Sequence, residues 1–600
     1  MYRSQTCGEL NATHVGSQVT LAGWVNKVRN LGGMTFVDLR DRYGITQITI
    51  NPSEGELIFE NMEKLEDIKS EYVIQVVGTV IARPENMINK DMITGAVEIK
   101  ASKITVLTKA KVLPFPIIDE PNTSEENRFK YRYLDLRRRK VLDNVLFRSQ
   151  MTTFTRNWFT AHDFIDVQTP IFTVSSPEGA RDFLVPSRVN PGQCYALPQA
   201  PQQYKQLLMI GGIDKYFQIA PCFRDEDPRA DRHSCEFYQI DCEMSFVQQE
   251  DIYNIVQGFL RDLVPALTPH KKIVVDFQRL TYREAIDQYG SDKPDLRFTM
   301  PLIEMTADFK TSGFSVFQET ANNGGTIKAI RIENKLLTRK EADELTELVR
   351  KNGAKGMAYI ILDPEETKGS IAKFLSPEEI ANIKAKTGAQ TGDSIVLVGD
   401  NYDVVTTALG RLRISMRDKF LTIDKNELAF CWIEDFPMFE QDPETGKYDF
   451  CHNPFSIVKG GFEALKNPNK TEIMSEQYDL SCNGYEVLSG SIRNHSPELL
   501  LEAFKVVGRG EEEIKAKFGA MYEAFQFGPP PHGGFAIGFD RMLMILKDED
   551  NIREVYAFPK SGRAQDVMMG APSFVDQDLL DDIGIEFNDR VKKFLSDKSE

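Results

Sequence analysis

The sequence predicts a multidomain α+β protein, and three observations carry that reading. The chain has 600 residues, against a soft prior of about 150 per domain, so several hydrophobic cores are expected instead of one. Residues 1–107 alternate in strand fashion almost throughout, whereas the rest mixes amphipathic helices with strands. Residues 291–425 hold a helix and apolar strands of their own, after which the chain returns at LAFCWIEDFPMFE. The reading divides the chain into a barrel (1–107), a linker (108–140), a main body in two parts (141–290 and 426–560), the insertion (291–425) and a C-terminal extension (561–600).

Composition narrows the class. No apolar run is long enough to span a bilayer, and the first residues, MYRSQTCGELNATHVG, have neither a basic nor an apolar leader region. The eight cysteines form no CxxC pair, so they are expected as reduced, small apolar residues of a cytoplasmic protein. A net charge of −17 argues against non-specific affinity for nucleic acid but leaves room for a local basic patch.

The barrel rests on the runs QVTLAGWVNKV, MTFVDLRD, GITQITIN, YVIQVVGTVIAR and AVEIKASKITVL, with one helix-like stretch from Gly55 to Lys69. Five short strands, one helix and glycine-rich turns point to a closed barrel of the OB type, whose exposed face commonly binds single-stranded nucleic acid. Phe36 could stack a base and Gln47 could read one, although the core is the commoner place for a strand phenylalanine.

A Pro-rich linker, VLPFPIIDEPNTSEEN, precedes the arginine cluster in YRYLDLRRRKVLDN. That cluster is either a solvated helix face or a phosphate contact. Met151, Phe154, Trp158 and Phe159 then recur at helical spacing, and FIDVQTPIF turns to strand character around Pro170. The insertion sits in a loop, so the chemistry is expected outside it.

Four segments of the main body carry chemistry. FRDEDPRADRHSCEFYQID, from Phe223 to Asp241, is expected as two strands, Arg224 and Glu226 on one face of the first and Phe237, Gln239 and Asp241 on one face of the second, so that a cation and carboxylates converge on one sheet surface. Such charges form either a solvated salt-bridge ladder or a ligand cradle, because burying them unpaired costs about several kcal/mol per ion. GGFAIGFDRMLMILKD puts small residues at Gly534, Ala536 and Gly538 on one strand face, ahead of a helix starting near Asp540. A flat ligand could lie there with Arg541 on a phosphate, or the face could serve close packing. YDLSCNGYEVLSGSIRNH supplies Asp479 and Glu486, hard oxygen donors suited to Mg²⁺. Arg493 follows Glu486 by an odd number of residues, so a shared pocket requires a bulge, expected at Ser489-Gly490. Finally, SPEGARDFLVPSR places Glu178 in a turn, and ALPQAPQQYKQLLM brings Gln202 and Lys205 to a helix start, where the lysine calls for a negative partner.

Together these segments resemble, in chain order, the three signature motifs of class II aminoacyl-tRNA synthetases. The helix and strand through Pro170 are similar to motif 1, FRDED to motif 2 and GFDR to motif 3. The resemblance spans essentially the whole chain and is strongest to the bacterial aspartyl subfamily. It implies an antiparallel-sheet catalytic domain and a homodimer that joins L-aspartate to tRNA(Asp), alone or together with tRNA(Asn), using ATP and Mg²⁺. It also implies residue roles. Catalysis would fall to Arg224, Glu226 and Arg541, and ATP would meet Arg224, Asp225, Glu226, Glu486, Gly538, Phe539, Asp540 and Arg541. Aspartate would be held by Glu178, Gln202, Lys205, Arg224, His452 and Arg493, Mg²⁺ by Asp479 and Glu486, and the anticodon by Phe36, Gln47 and Glu98. Asparaginyl and lysyl relatives fit the Lys205 and Arg493 pair and the insertion less well, and a catalytically dead nucleic-acid binder would not keep every motif residue. One departure stands out: His233-Ser234-Cys235 makes the motif 2 loop one residue longer than the usual pattern, and His233 takes the place of the expected ATP-contacting glutamine.

Overall fold

Alternation in the first hundred residues becomes a barrel because every second side chain needs cover. Val19, Leu21 and Val25, then Val37 and Leu39, then Ile48 and Ile50, then Ile74 and Val76 are all buried in one core. In the computed structural model, which describes residues 1–53, 57–175 and 179–599, these strands lie in the order Ile45–Ile50, Met34–Arg40, Gln18–Leu31, Val73–Ala82 and Val97–Thr108. Parallel pairing of the first with the last closes the barrel. The expected helix from Gly55 to Lys69 is reduced, in its described part, to a single 3-10 turn at Leu65–Asp67. Ile58–Glu60 instead adds a parallel strand beside residues 103–105, and Asn61 follows with a φ of 62°, outside the helical region. The unit to which this barrel belongs runs from Met1 to Asp143.

The second unit, Asn144–Glu600, is built on an eight-stranded sheet. Its order is Lys272–Thr281, Glu427–Glu434, Gln477–Cys482, Tyr485–Ile492, His532–Gly538, Glu236–Ser245, Lys215–Phe223 and Ile165–Asp166. All neighbours are antiparallel except the outermost pair at each edge. One face is packed by the helices Arg139–Ala161, Gln249–Leu267 and Phe539–Leu546, with Met151, Phe159, Phe259, Leu263 and Leu543 at the contact. The FIDVQTPIF segment pairs only at Ile165–Asp166, and Pro170, lacking an N–H, lies in irregular chain.

A separate five-stranded sheet occupies Ile303–Glu304, Thr326–Ile332, Ala358–Leu362, Thr367–Gly369 and Ser394–Asp400. Its two central strands are apolar on both faces. Ile330, Val396 and Val398 enter one core while Ile327, Ile395 and Leu397 enter another, which explains the unbroken run SIVLV.

Candidate active site

The open face of the large sheet is a grid set by strand register. Asp479 lies opposite Ser489, Ser489 opposite Ala536 and Ala536 opposite Asp241. One row along, Gln477, Ser491, Gly534 and Glu243 line up in the same way. The small residues at Gly534, Ala536 and Gly538 thus form a flat strip between acidic and hydroxyl side chains. A Cβ on Gly534 would overlap the Glu243 carboxylate, so this glycine is what lets that side chain lie against the sheet.

Helix Gln202–Ile210 covers one end of the strip and lowers Lys205 onto it. The Lys205 ammonium sits 2.7 Å from Asp241 Oδ1 and 3.3 Å from Glu243 Oε2, all three side chains being buried. The negative partner expected for Lys205 is therefore a pair of carboxylates. Arg493 closes the cluster, donating from Nε to Glu243 Oε1 at 2.8 Å, from Nη2 to Oε2 at 3.0 Å and from Nη1 to Ser491 Oγ at 2.7 Å. Burial alone would raise the Glu243 pKa, but the Arg493 and Lys205 charges outweigh it and hold it at about 2. Asp241 differs: burial raises its pKa against the pull of Lys205, and Glu243 adds to the rise. Glu243 and a role for Asp241 were missed at the sequence level. The signal was available, since the period of two through Phe237, Gln239 and Asp241 continues to residue 243.

Polar atoms without protein partners converge on this face. Among the described residues they include Asp241 Oδ2, Gln202 Nε2, Arg224 Nε and Asp479 Oδ1. Buried groups of this kind are costly unless something meets them, and the mixture of donors and acceptors suits a zwitterionic, anionic ligand.

Arg224 and Glu226 do not share a strand face as expected, because the strand stops at Phe223. Arg224 begins the turn, its N–H donating to the Cys235 carbonyl at 2.8 Å and its guanidinium lying 5.1 Å from the centre of the Phe237 ring. Glu226 and Asp225 are exposed in the loop beyond. Arg229 and His233 exchange two backbone hydrogen bonds of 3.0 Å, which close the lengthened loop on itself. Burial lowers the His233 imidazole from its usual value against the nearby Glu226 carboxylate. Arg541 reaches the same region, donating to the carbonyls of Glu486 and Arg232. Burial lowers its pKa, Glu486 opposing and the fields of Arg232 and Arg224 adding.

Glu486 and Arg493 do share a face, and a bulge is the reason. Leu480 pairs with Leu488 but Ser481 with Glu486, so Val487 is the extra residue. The bulge lies at Val487 and not at Ser489-Gly490, where Gly490 instead makes room for the Tyr478 ring. Asp479 is buried, and burial together with the adjacent Glu486 carboxylate raises its pKa well above the ordinary range. Two hard carboxylates side by side, one with an unpartnered oxygen, fit Mg²⁺ held jointly with phosphates.

The remaining expectations divide. Phe539 is fully buried in the core, and Asp540 is taken by Arg148 and by the Tyr238 N–H at 2.7 Å, so both anchor the helix after Gly538. His452 is exposed, its ring edge-on to Phe436 at 5.3 Å. Glu178 lies outside the described residues. On the barrel, Phe36 points out of the core, and Gln47 donates to Glu98 at 2.6 Å while accepting from Arg29 at 3.1 Å. Phe36, Gln47 and Glu98 are thus joined in one outward patch with Arg29 and Asp38, which pair at 2.6 Å.

A mostly antiparallel sheet with a flat strip of small residues, a buried quartet of two cations and two carboxylates, and Arg224 and Arg541 beyond it, in a chain that also carries an OB barrel, defines a synthetase of the class II type. The chain belongs to the class II tRNA synthetases (D, K and N), whose family model matches residues 124–562; a second model, for the OB-fold nucleic acid binding domain, matches residues 19–107. It is 47% identical to the "Aspartate--tRNA(Asp/Asn) ligase" of Chlorobaculum parvum, over 98% of this chain and 96% of that one. With the ligase of the same description from Rickettsia akari it shares 45%, over 99% of each. Among solved structures, the asparaginyl-tRNA synthetase of Pyrococcus horikoshii complexed with asparaginyl-adenylate aligns with a TM-score of 0.58 at 18% identity, covering 94% of this chain and 100% of that chain. The aspartyl-tRNA synthetase of Entamoeba histolytica aligns at 0.55 and 20%, covering 92% and 90%. At those identities the likeness is one of fold.

Proposed function

We propose that this chain is an aspartate–tRNA ligase that charges both tRNA(Asp) and tRNA(Asn). The observation that carries the amino-acid specificity is the buried quartet of Lys205, Asp241, Glu243 and Arg493. Its charges cancel, so an incoming side-chain carboxylate finds two cations whose remaining donors it can use, and the unpartnered Asp241 Oδ2 takes the ammonium. Asparagine's amide would turn an N–H toward one of those remaining donors and leave a buried donor unmet, a loss of about 1–3 kcal/mol. The second acceptor rests on the relatives, whose descriptions read tRNA(Asp/Asn).

The chemistry is one of placing anions together. The α-carboxylate oxygen of aspartate attacks the α-phosphorus of ATP while the bond to pyrophosphate breaks, giving aspartyl-adenylate. Arg224 and Arg541 neutralise the charge that gathers on the α-phosphate, and the flat strip at Gly534, Ala536 and Gly538 keeps the reacting groups in line. No side chain acts as nucleophile. Asp479 and Glu486 would hold Mg²⁺, which supplies charge neutralisation on the phosphates when bound. The terminal ribose hydroxyl of the tRNA then attacks the carbonyl carbon of the mixed anhydride, and AMP departs. Phe36, Gln47 and Glu98 read the anticodon from the barrel.

A cytoplasmic setting agrees with the eight free cysteines; among the described residues no helix is long and apolar enough to cross a membrane. The active form is a homodimer. The edge strand Ile165–Asp166 and the chain after it leave Ile165, Ile171, Phe172, Val174 and Leu184 exposed, an apolar surface that a second copy would cover.

Charging of each purified tRNA with labelled aspartate tests the proposal. Both should be acylated; acylation of tRNA(Asp) alone removes the second acceptor, and acylation of neither overturns the reading.

A further inference from the structure

Ser481 lies two residues beyond Asp479 on one strand and directly opposite Glu486 on the next, so the three side chains share a face. The Ser481 hydroxyl donates to the Pro294 carbonyl at 3.1 Å. Residues 291–297, which lead from helix Tyr282–Tyr289 into the inserted domain, therefore cross the carboxylate face as a strap. The residue before Pro294 is Lys293. Its ammonium pairs with Asp292 at 2.7 Å, both side chains being only partly exposed. Asp292 and Lys293 are also among the charges that act on the buried Asp479 carboxyl, after burial and Glu486.

The strap is held from the insertion. Asp295 is fully buried and accepts from Arg297 Nε at 3.0 Å and Nη2 at 2.8 Å, and from Arg417 Nη1 at 2.8 Å. Arg413 donates to the carbonyls of Asp295 at 2.8 Å, Phe298 at 3.0 Å and Met300 at 3.1 Å. Arg413 and Arg417 both belong to helix Tyr402–Phe420, the last of the inserted domain. At the strap's start Gly290 has a φ of 63° and meets Gly410 of that helix so closely that a Cβ would overlap the Thr406 carbonyl. A brace this specific is more than a surface insertion needs.

We propose that Lys293 is a phosphate-binding residue of the adenylation site, directed at the β- and γ-phosphates that leave as pyrophosphate, and that the inserted domain is the brace that holds it there. The proposal rests on the reading that ATP lies across Asp479 and Glu486. An ammonium is a compact charge with three donors, suited to phosphate oxygens. Asp292 holds it in the absence of nucleotide and yields it when the more highly charged triphosphate arrives. The chemistry assigned to the main body thus draws one residue from the segment that leads into the insertion.

The test uses the full chain. In Lys293→Ala, the Kd of ATP with Mg²⁺, measured by calorimetry, and the KM of pyrophosphate in the exchange reaction should each rise about tenfold or more, the size of one lost charge-assisted hydrogen bond. The Kd of aspartate should not move. Lys293→Arg should recover most of the loss, and Arg417→Ala, which loosens the strap without touching ATP, should shift the same two constants in the same direction. ATP and pyrophosphate constants left within about twofold of wild type, or an equal weakening of aspartate, overturn the proposal. A wild-type chain without aspartate-dependent exchange would overturn the functional reading instead, so the two failures are distinct.

Discussion

Arg493 and Glu243 meet through two parallel hydrogen bonds, of 2.8 and 3.0 Å, with both side chains out of solvent. The fork fixes the plane of the guanidinium and, with Lys205 on the other side of the carboxylate, makes Glu243 the counter-charge of the whole pocket.

Glu243→Gln should therefore destabilise the protein. Removing one partner of a buried pair costs about 3–5 kcal/mol, which urea denaturation would read directly. The pH dependence has a definite sign. The folded pKa of Glu243 is depressed to about 2 and the unfolded value is about 4.3, so its stabilisation is complete above the unfolded value and is lost as pH falls through the folded one. The gap between wild type and variant should be constant near neutrality and shrink in acid. Equal stability at neutral pH would contradict the assignment.

Asp241 should act on binding in the opposite region. Burial raises its pKa, and a substrate ammonium at Oδ2 favours the ionised form, so binding expels any proton the free carboxyl holds. Affinity for aspartate should weaken as pH drops below that raised pKa, by up to about tenfold per unit. Calorimetric titrations over a pH series should show this slope in wild type and its loss in Asp241→Asn, alongside weaker binding overall.

Gly534→Ala places a methyl group where the Glu243 carboxylate lies. Displacing that carboxylate unseats Lys205 and Arg493 together, so aspartate binding should fall at least as far as in Glu243→Gln, whereas Gly538→Ala, where a Cβ meets Arg541 Cβ at 3.6 Å, should be milder. Comparable aspartate affinities in the two glycine variants would show that the strip is not what seats the pocket.

Much of this was legible from period alone. The barrel, the strip at Gly534, Ala536 and Gly538, and the helix carrying Lys205 follow from alternation and helical spacing, because burial enforces both. What escaped depended on contacts that no local pattern records. The bulge at Val487 arises from pairing with a neighbouring strand, so the odd spacing from Glu486 to Arg493 announced a bulge without locating it. Arg224 and Glu226 look alternating in FRDED, yet the ladder breaks between them: the Arg224 N–H still meets Cys235, whereas Asp225 donates to the Arg181 carbonyl and the Glu226 N–H turns back to the Arg224 carbonyl. Asp540 reads as part of a ligand motif, but its carboxylate is committed to Arg148 and Tyr238, partners far away in sequence.

The outward patch on the barrel predicts a separation of functions. Phe36→Ala and Gln47→Ala should raise the KM for tRNA about five- to hundredfold, the range expected for a lost stacked base, while aspartate-dependent pyrophosphate exchange, which needs no tRNA, stays at the wild-type rate. A matching fall in exchange would show that these residues support the fold and not recognition.

Arg224→Ala should show the converse. The guanidinium is placed by the Phe237 ring at 5.1 Å and keeps Nε without a protein partner, so it enters the reaction already oriented and with a donor to give. Loss of one preorganised donor at the centre where charge develops costs about 10²–10³ in rate, and exchange should fall by that factor while tRNA binding, measured by filter retention, persists. Arg224→Lys restores the charge without the planar fork and should recover little. If exchange in Arg224→Ala stayed near wild type, the α-phosphate would have to be neutralised chiefly by Arg541, whose hold on the Glu486 and Arg232 carbonyls leaves it fewer free donors. That outcome would move the centre of the reaction toward the helix Phe539–Leu546 and away from the hairpin.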